Sequence, residues 1–224
     1  MNSSIWGPKM WDIMFTTAHT LPVSDCISML NELRVVLPCS HCRRSYTAYL
    51  QRFDPEACIN DAESGAKFIW TLHDFVNVKL DKRKACIPFS LLQLRHAVFS
   101  SVCSYWDPLD MLAIISLQLE NMEQVESYCR IAPIFTKLAV VLGAPPACNV
   151  VPDANVCCPS NTWIHALSCR TKVRTALGMV AESRSDFKEH FEMCRASVET
   201  PSSTENDASS HRARPKRSRR GLIR

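Results

Sequence analysis

Cys39 and Cys42 stand two residues apart in Pro38-Cys39-Ser40-His41-Cys42-Arg43-Arg44. Two thiols at that spacing, at the start of a helix, can close into a disulfide and reopen. Cysteine reacts as its thiolate, so a reactive pair calls for a lowered pKa. A helix N-terminus offers unpaired N–H groups and the positive end of the dipole. Arg43 and Arg44 add positive charge nearby. About thirty residues later comes His73-Asp74-Phe75-Val76-Asn77. His73 and Asn77 are four apart, hence on one helix face. A His/Asn pair of that kind suits a flavin ring beside a dithiol, and the combination points to thiol oxidation.

Other chemistries fit less well. A zinc site would use Cys39, Cys42 and His41 together with a second pair of ligands at loop spacing. The adjacent Cys157-Cys158 is distant and a poor chelate, so no metal site is expected. A thioredoxin-like motif would need strands around it. Only 5 glycines and no long alternating β-branched runs argue against sheet.

The elements that must position the dithiol read as helices. Pro8 is suited to a first helical turn, with Met10, Trp11, Met14, Phe15 and Ala18 recurring behind it. Ser24-Asp25 resembles an N-cap for a second helix carrying Ile27, Leu30, Leu33 and Leu37, which Pro38 ends. A third helix is expected from Cys39 to Phe53, with Tyr46, Tyr49 and Leu50 inward. A fourth opens at Asp61-Ala62-Glu63 and ends near Lys82-Arg83-Lys84, where cations suit the dipole. A short fifth runs from Pro88 to about Phe99. The fold class expected is all-α: a four-helix bundle plus a short fifth helix over residues 1–100, then an additional helical region over 101–196. In that second region, helices are expected over 108–119, 125–142, 161–181 and 185–196, with a Pro- and Cys-rich loop between. Residues 197–224 are polar and basic, a disordered tail.

Hydrophobic residues at 46% suffice for a packed core, and the net charge of +4 is concentrated in the tail. Twelve cysteines is a high count for a chain whose N-terminus has neither a basic n-region nor an apolar h-region. In a reducing compartment most would be thiols, which favours a redox role for Cys39 and Cys42. No apolar stretch approaches the length of a membrane span. The tail around Lys216-Arg217-Ser218-Arg219-Arg220 could be a nuclear address or touch nucleic acid.

Three motifs in register resemble the Erv/ALR family of FAD-linked sulfhydryl oxidases. Trp6-Gly7-Pro8-Lys9-Met10-Trp11 is similar to the family's Trp-Gly-x-x-x-Trp opening. Leu37-Pro38-Cys39-Ser40-His41-Cys42 is similar to its dithiol core. His73-Asp74-Phe75-Val76-Asn77-Val78-Lys79-Leu80-Asp81-Lys82 is similar to His-Asn-x-Val-Asn-x-x-Leu-x-Lys. Leu-Pro before the dithiol and Arg-Arg after it look most like the enzymes of large DNA viruses. The resemblance implies FAD bound by Trp6, Trp11, His73, Val76, Asn77 and Lys82. It implies Cys42 against the flavin ring, and Cys39 as the thiol that meets substrate. The implied reaction forms disulfides in protein thiol substrates, a thioredoxin-like relay protein among them, with dioxygen as acceptor and hydrogen peroxide as product. It further implies a homodimer through the first helices and, for a viral protein, residence in the virion or host cytoplasm.

The chain departs from the family pattern at three places. Phe15 stands where the family often has His, Asp74 stands where it has Asn, and Cys86 lacks its usual partner near Trp70. A second reading is therefore a helical scaffold of the same descent that has lost its flavin and acts by protein contacts. The vicinal Cys157-Cys158, with Cys148 or Cys169, is the candidate electron shuttle, against the plainer reading of ordinary thiols.

Overall fold

A computed structural model of the chain describes residues 3–82, 88–90 and 103–146. Among these residues all regular structure is helical. The helices are α1 (Ser3–Thr20), α2 (Val23–Val36), α3 (Ser40–Leu50), α4 (Pro55–Cys58), α5 (Ala62–Lys79), α6 (Trp106–Ser116) and α7 (Met122–Val141). The expected all-α class is what the structure shows. The shuttle candidates Cys148, Cys157, Cys158 and Cys169, together with Cys86, the helices expected past residue 146 and the basic tail, lie outside the described residues. So does most of the expected fifth helix.

Sequence signals set most boundaries, and the departures have local causes. The Asp61 carboxylate accepts from the Ser64 N–H at 2.7 Å, while the Ser64 hydroxyl accepts from the Asp61 N–H at 3.0 Å. That reciprocal capping box starts α5 where expected. Asn121 caps α7 by accepting from Gln124 N at 3.0 Å. The first helix, expected to begin at Pro8, begins at Ser3, so Pro8 lies inside α1. Pro8 is the sixth residue of α1, past the first turn, and forgoes one intrahelical N–H bond there. The second helix starts at Val23, with Pro22 at its cap position in place of Ser24. The third ends at Leu50, three residues before Phe53. The short α4 was not expected; Asp54 caps it and Pro55 supplies its first turn.

Packing unites the described helices around one core. The helix α5 lies along α1, α7 lies along α2, and α6 packs on α7 and α1. Ile13, Met29, Leu30, Leu33 and Leu72 from the first part share one buried cluster with Met111, Ile115, Tyr128 and Phe135 from α6 and α7. Where α5 crosses α1, Gly65 faces Ala18; a methyl at Gly65 would already meet the Ala18 Cβ at 3.4 Å. Two small residues there let the helix that carries His73 approach the helix that carries Trp11.

Ion pairs trim the rim of this core. Arg130 of α7 meets Glu32 of α2 with both nitrogens, at 2.7 and 3.0 Å. Lys137 meets Asp25 at 2.6 Å, and Lys9 of α1 bridges to Asp107 of α6 at 3.0 Å. Burial tends to raise the Asp107 pKa, but the Lys9 and Ser104 hydrogen bonds outweigh it and hold the carboxyl below its usual range. Exposed pairs of this kind contribute about 0–1 kcal/mol each, so apolar burial carries the attachment of α6 and α7.

Phe135 is fully buried on α7. Phe135→Ala should therefore cost about 3–5 kcal/mol. The same urea transition should be reported by helical circular dichroism and by tryptophan fluorescence from the first helices, because both sense one core.

Candidate functional site

Helix α3 begins immediately after Cys39, whose extended backbone makes it the N-cap. The Cys39 Sγ accepts from the Cys42 N–H at 3.3 Å. A sulfur thus does what a Ser or Asp oxygen does at an ordinary cap, and the two thiols are held on one turn. Both are free thiols, both half-buried, and both pack against the common core.

The residues after the dithiol hold α3 in place. Arg43 donates to the Leu37 carbonyl at 2.6 Å, closing the C-terminal end of α2. Arg44 donates to Nδ1 of His41 at 2.8 Å. The buried Tyr46 hydroxyl donates to the Leu30 carbonyl at 3.2 Å. On the other side, Phe75 of α5 stacks with Tyr49 and with Phe53, each at 5.4 Å between ring centroids.

A lowered thiol pKa was expected at this cap, and Cys42 shows the reverse. Burial first, then its hydrogen bond and charge coupling to Cys39, push Cys42 up to about 12. The Cys42 N–H is given to the Cys39 sulfur and lends nothing to Cys42's own. Nor do the two arginines supply the opposing charge; both are turned to other partners. Among the described residues the cation that acts on Cys42 is Lys79 of α5, which donates to the Ser45 hydroxyl. In the sequence Lys79 reads as a solvent cation near a helix end, with no assigned role. The signal that could have found it is its i, i+4 relation to Phe75, whose aromatic side chain marks the face of α5 that meets α3.

Of the residues expected at the cofactor, the structure brings Trp11 and His73 together. Their rings lie 4.6 Å apart at 37°. Burial lowers the His73 pKa, with Asp74 pulling weakly the other way, so the imidazole is neutral at pH 7. Asn77 is buried one turn on, and Val76 is half-buried beside it. Trp6 is buried in the core, its indole N–H without a hydrogen-bond partner among the described residues. Phe15, at the family's His position, is a buried core residue. Lys82 is exposed, placed by the end of α5: its N–H donates to the Asn77 carbonyl at 2.7 Å, and that of Asp81 to Val78 at 3.2 Å. That is a Schellman closure with Asp81 at φ 55° where Gly is usual. Among the described residues no group of three or more His, Cys, Asp or Glu is placed to hold a metal ion. No helix among them is long and apolar enough to cross a membrane.

Two measurements check this geometry. Asp81→Gly removes the left-handed penalty and should stabilise the fold by about 0.5 kcal/mol in urea unfolding. His73 binds its proton more weakly folded than at its ordinary value of 6.5. The unfolded chain then takes up the proton first, so the stability that His73 contributes is complete above that value and lost as pH falls through it. Urea midpoints measured from pH about 7.5 down to about 5.5 should therefore drop more in the wild type than in His73→Gln.

Residues 8–95 match the model of the Erv1 / Alr family. No curated protein and no solved structure matches the chain. Members of that family are typically flavin-linked sulfhydryl oxidases that bind FAD. The matched segment contains the thiol cap of α3 and the Trp11–His73 pair, and the match supports the Erv1 / Alr family for this part of the chain.

Proposed function

We propose that this protein is an FAD-dependent sulfhydryl oxidase that forms disulfide bonds in protein substrates, using dioxygen and releasing hydrogen peroxide. The observation that carries the reading is the thiol-capped turn of α3, packed into the same core as the Trp11–His73 ring pair.

The residues present fit FAD. An isoalloxazine is flat, apolar on its faces and polar at its edges. Trp11 and His73 supply aromatic surface, and a neutral imidazole can both donate and accept. The buried amide of Asn77 adds a donor and an acceptor, and the indole N–H of Trp6, unpaired among the described residues, is a further donor. Val76 and Lys82 complete the proposed FAD-binding set. When bound, FAD supplies the two-electron acceptor that restores the disulfide and passes the electrons to dioxygen.

The chain's own chemistry is thiol–disulfide exchange. With Cys39 and Cys42 joined, a substrate thiolate attacks Cys39 Sγ, and the S–S bond breaks toward Cys42 Sγ, which takes the electron pair. A second substrate thiolate then attacks the mixed disulfide, and Cys39 leaves. The substrate has lost two electrons and two protons, and the dithiol has gained them. Cys39 suits the exchange role because it lies at the cap, outside the hydrogen-bonded turn, whereas Cys42 lies within it.

Protein thiols, including a thioredoxin-like relay, are the proposed substrates. The homodimer implied by the family resemblance would have to use a surface other than the face of α2 that α7 covers. The scaffold reading draws on Phe15, whose side chain fills core space where a cofactor-facing His is expected.

The test is the visible absorption of the purified full chain together with oxygen consumption on a reduced dithiol protein. Bound flavin, with turnover that falls at least about a hundredfold in Cys42→Ser or Cys39→Ser, is the expected outcome. A colourless protein that takes up no added FAD would overturn the oxidase reading in favour of the scaffold.

A further inference from the structure

The site contains a conflict that the exchange chemistry has to overcome. Cys42 must leave as a thiolate each time Cys39 is attacked. Its surroundings resist that charge, since burial and the adjacent Cys39 both disfavour it. The charges next to it in sequence point elsewhere, Arg43 to the Leu37 carbonyl and Arg44 to the His41 ring. Among the described residues, the ionisable groups that act on Cys42 are Cys39 on its own turn and Lys79 from α5.

Lys79 is held in a defined place. Its ammonium donates to the Ser45 hydroxyl across the gap between α5 and α3. Ser45 lies three residues past Cys42, on the same side of α3, and donates to the His41 carbonyl at 3.0 Å. Phe75, one turn before Lys79, is stacked with both Tyr49 and Phe53, which fixes α5 against α3. Three separate contacts thus converge on bringing one cation of α5 to the turn that carries the dithiol.

We propose that Lys79, seated on Ser45, is the positioning cation that stabilises the Cys42 thiolate as exchange at Cys39 releases it. The proposal deepens the oxidase reading and rests on it for its role in turnover. Lys79 neither forms a bond nor moves a proton. The electron pair of the broken S–S bond comes to rest on Cys42 Sγ, and the ammonium offsets its charge across the α3–α5 gap. Because Lys79 is exposed at the rim, the interaction is partly screened by solvent and sensitive to salt.

The experiment is alkylation of Cys42 in the reduced full-length chain, mapped to that residue by peptide mass spectrometry across pH and at low and high salt. Lys79→Met should slow Cys42 alkylation about three- to tenfold at fixed pH between about 7 and 9, where a lysine ammonium carries its charge. Lys79→Arg should restore most of the rate, Ser45→Ala should give an intermediate loss, and salt should narrow the gap between wild type and Lys79→Met. Identical Cys42 profiles in wild type, Lys79→Met and Lys79→Arg would overturn the proposal. Equal losses in Lys79→Met and Lys79→Arg would also overturn it, because a merely structural lysine would not be rescued by charge. The readout needs no flavin, so the two readings fail separately. Normal flavin binding and turnover with an unchanged Cys42 profile removes Lys79 alone. A chain that takes up no flavin yet shows the Lys79 effect removes the oxidase reading and keeps the electrostatic pair.

Discussion

The dithiol is a helix cap, and much of the described structure serves to keep that cap in place. The Cys39 Sγ accepts the Cys42 N–H, so the first turn of α3 and the dithiol are one object. Moving α3 by a residue would separate the sulfurs from their shared geometry. Tyr46 ties α3 to α2, Arg43 ties it to the end of α2, and the Phe75 stacks tie it to α5. Each of these contacts fixes the position of α3 while leaving the two sulfurs unobstructed by a covalent partner.

The same arrangement sets the electrostatic problem. The capping hydrogen bond is given to the Cys39 sulfur, so it does not stabilise charge on Cys42. Burial adds to the cost. An isolated motif peptide would lack the burial and also lack α5. The helix opposite, α5, brings Lys79 to Ser45 of α3 and sets His73 beside Trp11.

The helices α6 and α7 are part of this frame. Their apolar faces enter the cluster that holds Met29, Leu30 and Leu33 of α2, the helix against which α3 is braced. Destabilising α7 would loosen α2 and, through Tyr46 and Arg43, the cap itself. The chemical residues all lie in the first part of the chain, and their rigidity depends on packing contributed by the later helices.

Local signals in the amino-acid sequence determined a good deal. The Cys-x-x-Cys spacing, the helix opening at Asp61-Ala62-Glu63 and the 3.6-residue apolar stripes are short-range features. They named the dithiol, the His73–Asn77 face and the all-helical class, because neighbouring residues alone decide a cap or a helical face. The start of α1 was misplaced because Pro8 was taken as a first-turn signal, whereas the helix begins five residues before it. The thiol electrostatics were misread because charge adjacent in sequence was taken for charge adjacent in space. Only the tertiary structure decided that Lys79 of α5 reaches Ser45 of α3 and that α7 covers α2. Those outcomes depend on which faces of distant helices meet, and that is settled by the burial of the whole core and not by any local run of residues.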